Sequence, residues 1–273
     1  MPELPEVETV RRSLLSRLVG RRIETVTVRE PRLRRPIQSD FAVRLTGRRI
    51  EDIERRAKYL LFRLSGGECL LAHLGMSGAL LVRPAYTAPE VHDHVRIGLN
   101  DGDELVLNDP RRFGLLKVGA AASVEAWPEL RVLGPDPLDA TLSAERVAEL
   151  LRGRKRPIKN LLIDQAALGG VGNIYASEAL FRAGIRPTRR ACRIRKTEIA
   201  PLLHALRAVL REAVKLGGSS ISDYRDGDGR PGYFQLRLRV YDRDGQPCIV
   251  CQTPIRRIVQ TGRSSFYCPR CQH

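Results

Sequence analysis

The chain has 273 residues, 42% of them apolar and 29% charged, with a formal net charge of +16. These values exclude an intrinsically disordered chain and leave room for one large or two ordinary domains with real cores. Residues 1–150 hold 23 Lys and Arg against 22 Asp and Glu, whereas residues 151–273 hold 24 against 9, so the C-terminal half is expected to meet a polyanion, nucleic acid above all.

The chain opens Met-Pro-Glu-Leu-Pro-Glu-Val-Glu. Removal of the methionine before a residue as small as Pro2 leaves a free secondary amine. An α-amino group titrates near about 7.7–8.0, against about 10.4 for lysine, so a substantial fraction is unprotonated and nucleophilic near neutral pH. Attack on a sugar C1′ or an aldehyde yields an iminium that is cationic without protonation, and Glu3 and Glu6 stand close in sequence as proton donors. The competing reading is helix chemistry, with Pro5 in a first turn and Glu3, Glu6 and Glu8 at the positive end of the dipole.

Val7, Val10, Leu14 and Leu18 recur at helical spacing and predict one helix from Pro5 to about Val19, stopped by Gly20. Between Arg22 and Val118 the pattern changes to short β-rich runs at 23–28, 59–64, 69–74, 95–99, 104–107 and 115–118, separated by turns such as Ser65-Gly66-Gly67 and Asn100-Asp101-Gly102. This predicts an antiparallel sandwich or barrel. After Gly134-Pro135-Asp136-Pro137, helices are predicted at about 143–152, 157–168, 174–184 and 197–216, the last ending at Gly217-Gly218. A small β module closes the chain. The expected class is α+β, with units 1–134, 135–236 and 237–273.

In that last module Cys248-x-x-Cys251 and Cys268-x-x-Cys271 have the spacing of a four-thiolate zinc site. One structural zinc per chain is expected, because four thiolates leave no position for substrate. The intervening runs 255–259 and 264–267 predict a hairpin with Arg263 at its tip, either a solvated charge or a cation for a phosphate. Cys69 and Cys192 stand apart as free thiols. Gly169-Gly170-Val171-Gly172-Asn173 joins two predicted helices; it is an ordinary tight turn or one that aims N–H groups at phosphate. His73-Leu74-Gly75-Met76-Ser77-Gly78 and Asp109-Pro110-Arg111-Arg112-Phe113-Gly114 read as glycine-rich loops at strand ends, in which Met76 and Phe113 either line a core or fill the space left by an extruded base. Lys58 heads a strand as a phosphate contact or a plain surface charge.

Together these motifs, with Arg56-Ala57-Lys58-Tyr59, Gly170–Glu178, Pro231-Gly-Tyr-Phe-Gln and the cysteine module, closely resemble the bacterial formamidopyrimidine-DNA glycosylase family from Pro2 to Gln272. The resemblance implies a bifunctional glycosylase and lyase of base excision repair, built from an N-terminal helix with a β-sandwich, a helix-two-turn-helix domain and a β-hairpin zinc finger, with DNA held in the cleft between. It implies Pro2 as Schiff-base nucleophile, Glu3 as general acid, Glu6 as a supporting carboxylate, Lys58 as a phosphate group for the elimination steps, and Asn173 and Arg263 as grips on the phosphates flanking the lesion. Arg263 is also linked to the second elimination. His73, His92, Lys155 and Tyr241 fall on further DNA contacts, and Met76, Arg111 and Phe113 on the void-filling triad. The substrate implied is double-stranded DNA bearing 8-oxoguanine, formamidopyrimidines or abasic sites, cleaved by β,δ-elimination.

The endonuclease VIII-type branch is the nearer rival; the triad and the long 217–232 loop, where a purine-capping segment lies in the resembled family, argue against it. A zinc-ribbon DNA-binding module without catalysis leaves Pro2, Glu3 and Glu6 unexplained. No apolar run approaches a membrane span, and the acidic start lacks the basic and apolar regions of a signal peptide. A monomeric, cytoplasmic, nucleoid-associated bacterial protein is expected.

Overall fold

Helix α1 (Leu4–Leu18) starts where Glu3 leaves the extended region at φ −102° and where Pro5 occupies the first turn. It turns Leu4, Val7, Val10, Leu14 and Leu18 to one buried face and stops before Gly20, whose φ of +88° lies in the left-handed region. In the computed structural model, which describes residues 2–220 and 224–273, the chain forms two compact units: Met1–Arg131 with Leu216–Tyr233, and Val132–Lys215 with Phe234–His273.

The first unit is an antiparallel sandwich. One sheet runs in the order β1 (Ile23–Val28), β6 (Asp93–Leu99), β7 (Asp103–Asn108), β5 (Ala79–Pro84). The other runs β2 (Ile50–Arg56), β3 (Tyr59–Leu64), β4 (Glu68–His73), β8 (Leu115–Ala120). Alternating residues of both sheets, among them Leu60, Phe62, Leu70, Val95, Ile97 and Leu105, share one core with the apolar face of α1 and with Phe41 and Leu45 of the short helix α2 (Phe41–Leu45). Strands β2 and β5 and helix α2 were not among the predicted elements. A register shift between Ile50 and Asp52 puts the buried Ile50 and Ile53 three residues apart, which hides the two-residue period of β2.

Glu8 fastens α1 to the sheet by accepting hydrogen bonds from Arg11, Arg12 and Arg55 at 2.9–3.1 Å. Burial pushes the Glu8 carboxyl up, but the hydrogen bonds from Arg11 and Arg12 and the charges of Arg11 and Arg55 outweigh it and hold it down at about 2.

The second unit contains helices α3 (Ala144–Leu151), α4 (Ile158–Leu162), α5 (Asn173–Arg182) and α6 (Lys196–Lys215) and the hairpin β9 (Arg256–Gln260) with β10 (Arg263–Tyr267). The helix predicted at 157–168 is a correction: α4 ends at Leu162. There the Asp164 carboxylate accepts the Ala166 N–H, and the Gln165 side chain bonds to Gly170 and Val171, so the chain turns. Phe181, Val240, Ile255 and Phe266 pack with Cys248 and Cys268 into a small core under the hairpin. The architecture is the expected α+β one.

Candidate functional site

In the first unit, Pro2 and Glu3 are buried at the head of α1. The Glu6 carboxylate organises this end: Oε2 accepts the Glu3 N–H at 2.8 Å and Oε1 accepts the Ser219 N–H at 2.8 Å. Both oxygens are thus engaged by backbone donors. Tyr224 donates its hydroxyl to the Glu6 carbonyl at 3.2 Å; burial first, and the Glu6 charge second, raise its pKa and keep it a donor. Gly218, at φ +81°, lies in the left-handed region that favours glycine, and a Cβ there would lie 3.0 Å from Glu6 Oε1. The segment after α6 therefore docks on the residues implied in catalysis. Residues 221–223 of the predicted capping loop lie outside the described residues.

Lys58 is buried in the β2–β3 turn, next to Ala57 at φ +53°. The rings of Tyr59 and His73 lie 4.8 Å apart on the paired strands β3 and β4. Burial, then the charges of Lys58 and Arg34, push the His73 imidazole down to about 4, so at neutral pH it is uncharged and its Nδ1 accepts the Gly75 N–H at 3.0 Å. His92 is half-buried, edge to face with His94 at 6.2 Å.

Met76, Arg111 and Phe113 are all exposed, so the core-lining alternative for Met76 and Phe113 is excluded. The Arg111 guanidinium sits 4.9 Å from the Phe113 ring centroid, a cation–π pair at the tip of its loop. Between them Arg112 adopts φ +55° and is held by an ion pair to Glu30 at 3.1 Å.

In the second unit, Asn173 is the first residue of α5 and its Nδ2 donates to the Ser264 carbonyl at 3.0 Å and toward the Tyr241 hydroxyl at 3.5 Å. Arg263, exposed at the start of β10, follows the two-residue turn Thr261-Gly262, both with positive φ. The sequence reading missed Lys159, which is fully buried and donates to the Ser264 carbonyl and to Ser265 Oγ, both at 2.7 Å. Its scarcity was a signal: lysine occurs only six times in this arginine-rich chain. Glu178, also without an assigned role, is fully buried and accepts the N–H groups of Arg239, Val240 and Tyr241 at 2.9–3.1 Å. It thereby fixes the backbone that carries Tyr241. Desolvation raises its pKa against these hydrogen bonds. Lys155 is exposed and lines a surface cavity of about 640 Å³ with Arg154, Arg156 and Asp164.

The four cysteine Sγ atoms lie within 4.8 Å of one another, with Cys251–Cys268 at 3.4 Å and Cys248–Cys271 at 3.9 Å. A tetrahedron with Zn–S bonds of about 2.3 Å has edges of about 3.8 Å, so the thiols fit one zinc ion. The N–H groups of Val250 and Cys271 point at Cys248 Sγ and Cys268 Sγ, as thiolate ligands require. Cys69, in the core, has its thiol pushed up to about 11 by burial, and Cys192 is exposed; neither joins this group. No helix among the described residues is long and apolar enough to cross a membrane.

Three family models match the chain: the formamidopyrimidine-DNA glycosylase N-terminal domain over residues 1–116, the H2TH domain of the same enzymes over 133–225, and the zinc finger found in FPG and IleRS over 245–273. The chain is 47% identical to the formamidopyrimidine-DNA glycosylase of Dinoroseobacter shibae, with all of both chains covered. Its fold superposes on the crystal structure of the MutM (FPG) protein of Thermus thermophilus with a TM-score of 0.89 at 43% identity, covering 99% of this chain and 98% of that one. It also superposes on a Lactococcus lactis FPG mutant in complex with Fapy-dG containing DNA, with a TM-score of 0.93 at 34% identity and full coverage of both.

Proposed function

The chain belongs to the formamidopyrimidine-DNA glycosylase family, and we propose that it excises oxidised purines, 8-oxoguanine and formamidopyrimidines, from double-stranded DNA and then cleaves the strand at the abasic site. The observation that carries this reading is the buried Pro2-Glu3 start, held by the Glu6 carboxylate through the Glu3 N–H. A buried pair of this kind places an amine and an acid side by side where water is scarce, which strengthens every charge interaction at the sugar.

In the proposed reaction the damaged nucleotide is flipped out of the stack and the Pro2 nitrogen attacks C1′, so that the C1′–base bond breaks. Glu3 protonates the sugar ring oxygen as the ring opens to the iminium. The iminium acidifies C2′, whose proton is lost as the 3′ phosphate leaves; a second proton loss expels the 5′ phosphate, and water then hydrolyses the remaining iminium, releasing the sugar fragment as an aldehyde and the free Pro2 amine. The product is a one-nucleotide gap with phosphate ends. Lys58 serves the phosphate of these eliminations. Asn173 and Arg263 grip the phosphates flanking the lesion, and Arg263 assists the second elimination. His92, Lys155 and Tyr241 contact the backbone, His73 does so as a neutral group, and Met76, Arg111 and Phe113 fill the void in the duplex. Cys248, Cys251, Cys268 and Cys271 would hold one zinc ion, which would order the hairpin that presents Arg263 and, with four thiolates around it, would leave no position for substrate.

The test is chemical. Borohydride added to enzyme and lesion-bearing duplex reduces the iminium to a stable amine, and peptide mapping then locates the adduct. Attachment at Pro2 supports the reading; attachment at a lysine overturns it.

A further inference from the structure

Asp109 is fully buried and touches both loops that carry the exposed wedge residues. Its Oδ1 accepts the Ser77 hydroxyl at 3.1 Å, from the residue next to Met76. Its Oδ2 accepts the Gly114 N–H at 2.7 Å, from the residue next to Phe113. Its carbonyl accepts the Arg112 N–H at 3.1 Å and binds His94 Nε2 at 2.8 Å, and its own N–H donates to the His92 carbonyl at 3.0 Å. The loops also meet backbone to backbone, since a Cβ on Gly75 would lie 2.4 Å from the Phe113 carbonyl carbon.

We propose that Asp109 is a positioning residue whose carboxylate joins the Met76 loop to the Arg111–Phe113 loop, so that the three side chains enter the duplex as one preformed unit. The inference rests on the wedge role proposed above and adds the device that makes it rigid. Two independent loop tips would each lose conformational freedom on entering DNA. A single cross-braced unit has already lost it, so more of the contact energy appears as binding. Each oxygen of one carboxylate is spent on a different loop, which is the arrangement that such coupling needs. The neighbouring Glu30–Arg112 ion pair holds the left-handed residue between Arg111 and Phe113 and leaves those two outward.

The experiment compares two substrates. Excision from a lesion duplex needs the wedge, whereas strand cleavage of a single-stranded abasic oligonucleotide leaves no duplex void to fill and reads the proline chemistry alone. Failure of the wild-type enzyme on the second substrate therefore counts against the proposed reaction, and the ratio of the two rates reports on Asp109. Asp109→Ala is expected to lower the duplex-to-single-strand ratio about tenfold, and Ser77→Ala, which removes one of the two links, about threefold. Asp109→Asn retains an acceptor for Gly114 and a group able to bond Ser77, and should restore most of the ratio. In a Met76→Ala background, Ser77→Ala should have no further effect, because the braced side chain is gone. Equal losses on both substrates, or a Ser77→Ala effect that persists in full without Met76, would overturn the proposal; if Asp109→Ala does not fold, the Ser77→Ala pair decides it.

Discussion

Glu6 and Ser219, 213 residues apart in sequence, share a 2.8 Å hydrogen bond in which the Ser219 N–H donates to Glu6 Oε1. Because the other oxygen of the same carboxylate holds the Glu3 N–H, the segment after α6 and the N-terminal residues are ordered by one side chain. Glu6→Gln replaces one acceptor oxygen by an amide NH2 group, which donates and cannot accept. A hydrogen bond to a charged group contributes about 1.5–3 kcal/mol, so single-turnover excision should fall roughly tenfold to hundredfold. Thermal unfolding should shift less than it does in Leu14→Ala, which opens a cavity in the sandwich core.

One zinc ion per chain is expected in elemental analysis of the purified protein. Cys251→Ser, or chelation, should weaken DNA binding by releasing the hairpin that presents Arg263. Full incision activity from protein lacking zinc would refute the structural role.

Arg263 and His73 should differ in their salt dependence. Each phosphate neutralised adds about 0.9 to the slope of log affinity against log salt, so Arg263→Gln should reduce that slope by about this amount. His73 is held neutral, and His73→Gln should leave the slope alone even where it weakens binding. The same imidazole makes stability pH-dependent. Its folded pKa, near 4, lies below the ordinary 6.5, so the unfolded chain binds the extra proton between those values and stability falls as pH drops from 6.5 to 4. The Glu8 carboxyl, held near 2 against an ordinary 4.5, adds a second loss from pH 4.5 downward. Urea unfolding across pH should show both windows, the upper one flattened in His73→Gln and the lower one in Glu8→Gln.

Arg111 offers donors only, and an orphaned cytosine presents acceptors at O2 and N3 that match it, whereas adenine presents an acceptor beside an amino donor. Excision of 8-oxoguanine opposite cytosine should therefore lead excision opposite adenine by about tenfold to hundredfold, the effect of one charge-assisted contact. Arg111→Ala should slow the cytosine-paired substrate most. Single-turnover rates that keep the wild-type ratio in this variant would show that Arg111 does not read the opposite base.

Signals confined to one stretch of chain were legible in the sequence. The apolar stripe of α1, the β-rich runs of β3 and β4 between turn residues, the Cys-x-x-Cys pairs and the hairpin between them all depend on spacing within a few residues, and the structure places them within one or two positions of expectation. Strand β5 ends in Pro84 and β2 carries a register shift, so neither shows a clean period. The partners of Asp109, Lys159 and Glu178 were not legible, because they lie 32, 105 and 61–63 residues away in sequence. Burial of a charged side chain is a property of the fold, and nothing in the surrounding residues announces it.

Borohydride trapping with a free-amine enzyme tests the central claim most directly. The mature protein, mixed with an 8-oxoguanine or abasic duplex and reduced, should give a covalent adduct carried by the N-terminal peptide, and that adduct should disappear when a retained methionine or an N-terminal tag turns the Pro2 nitrogen into an amide. An undiminished adduct from a tagged Pro2→Gly protein would contradict the proline chemistry.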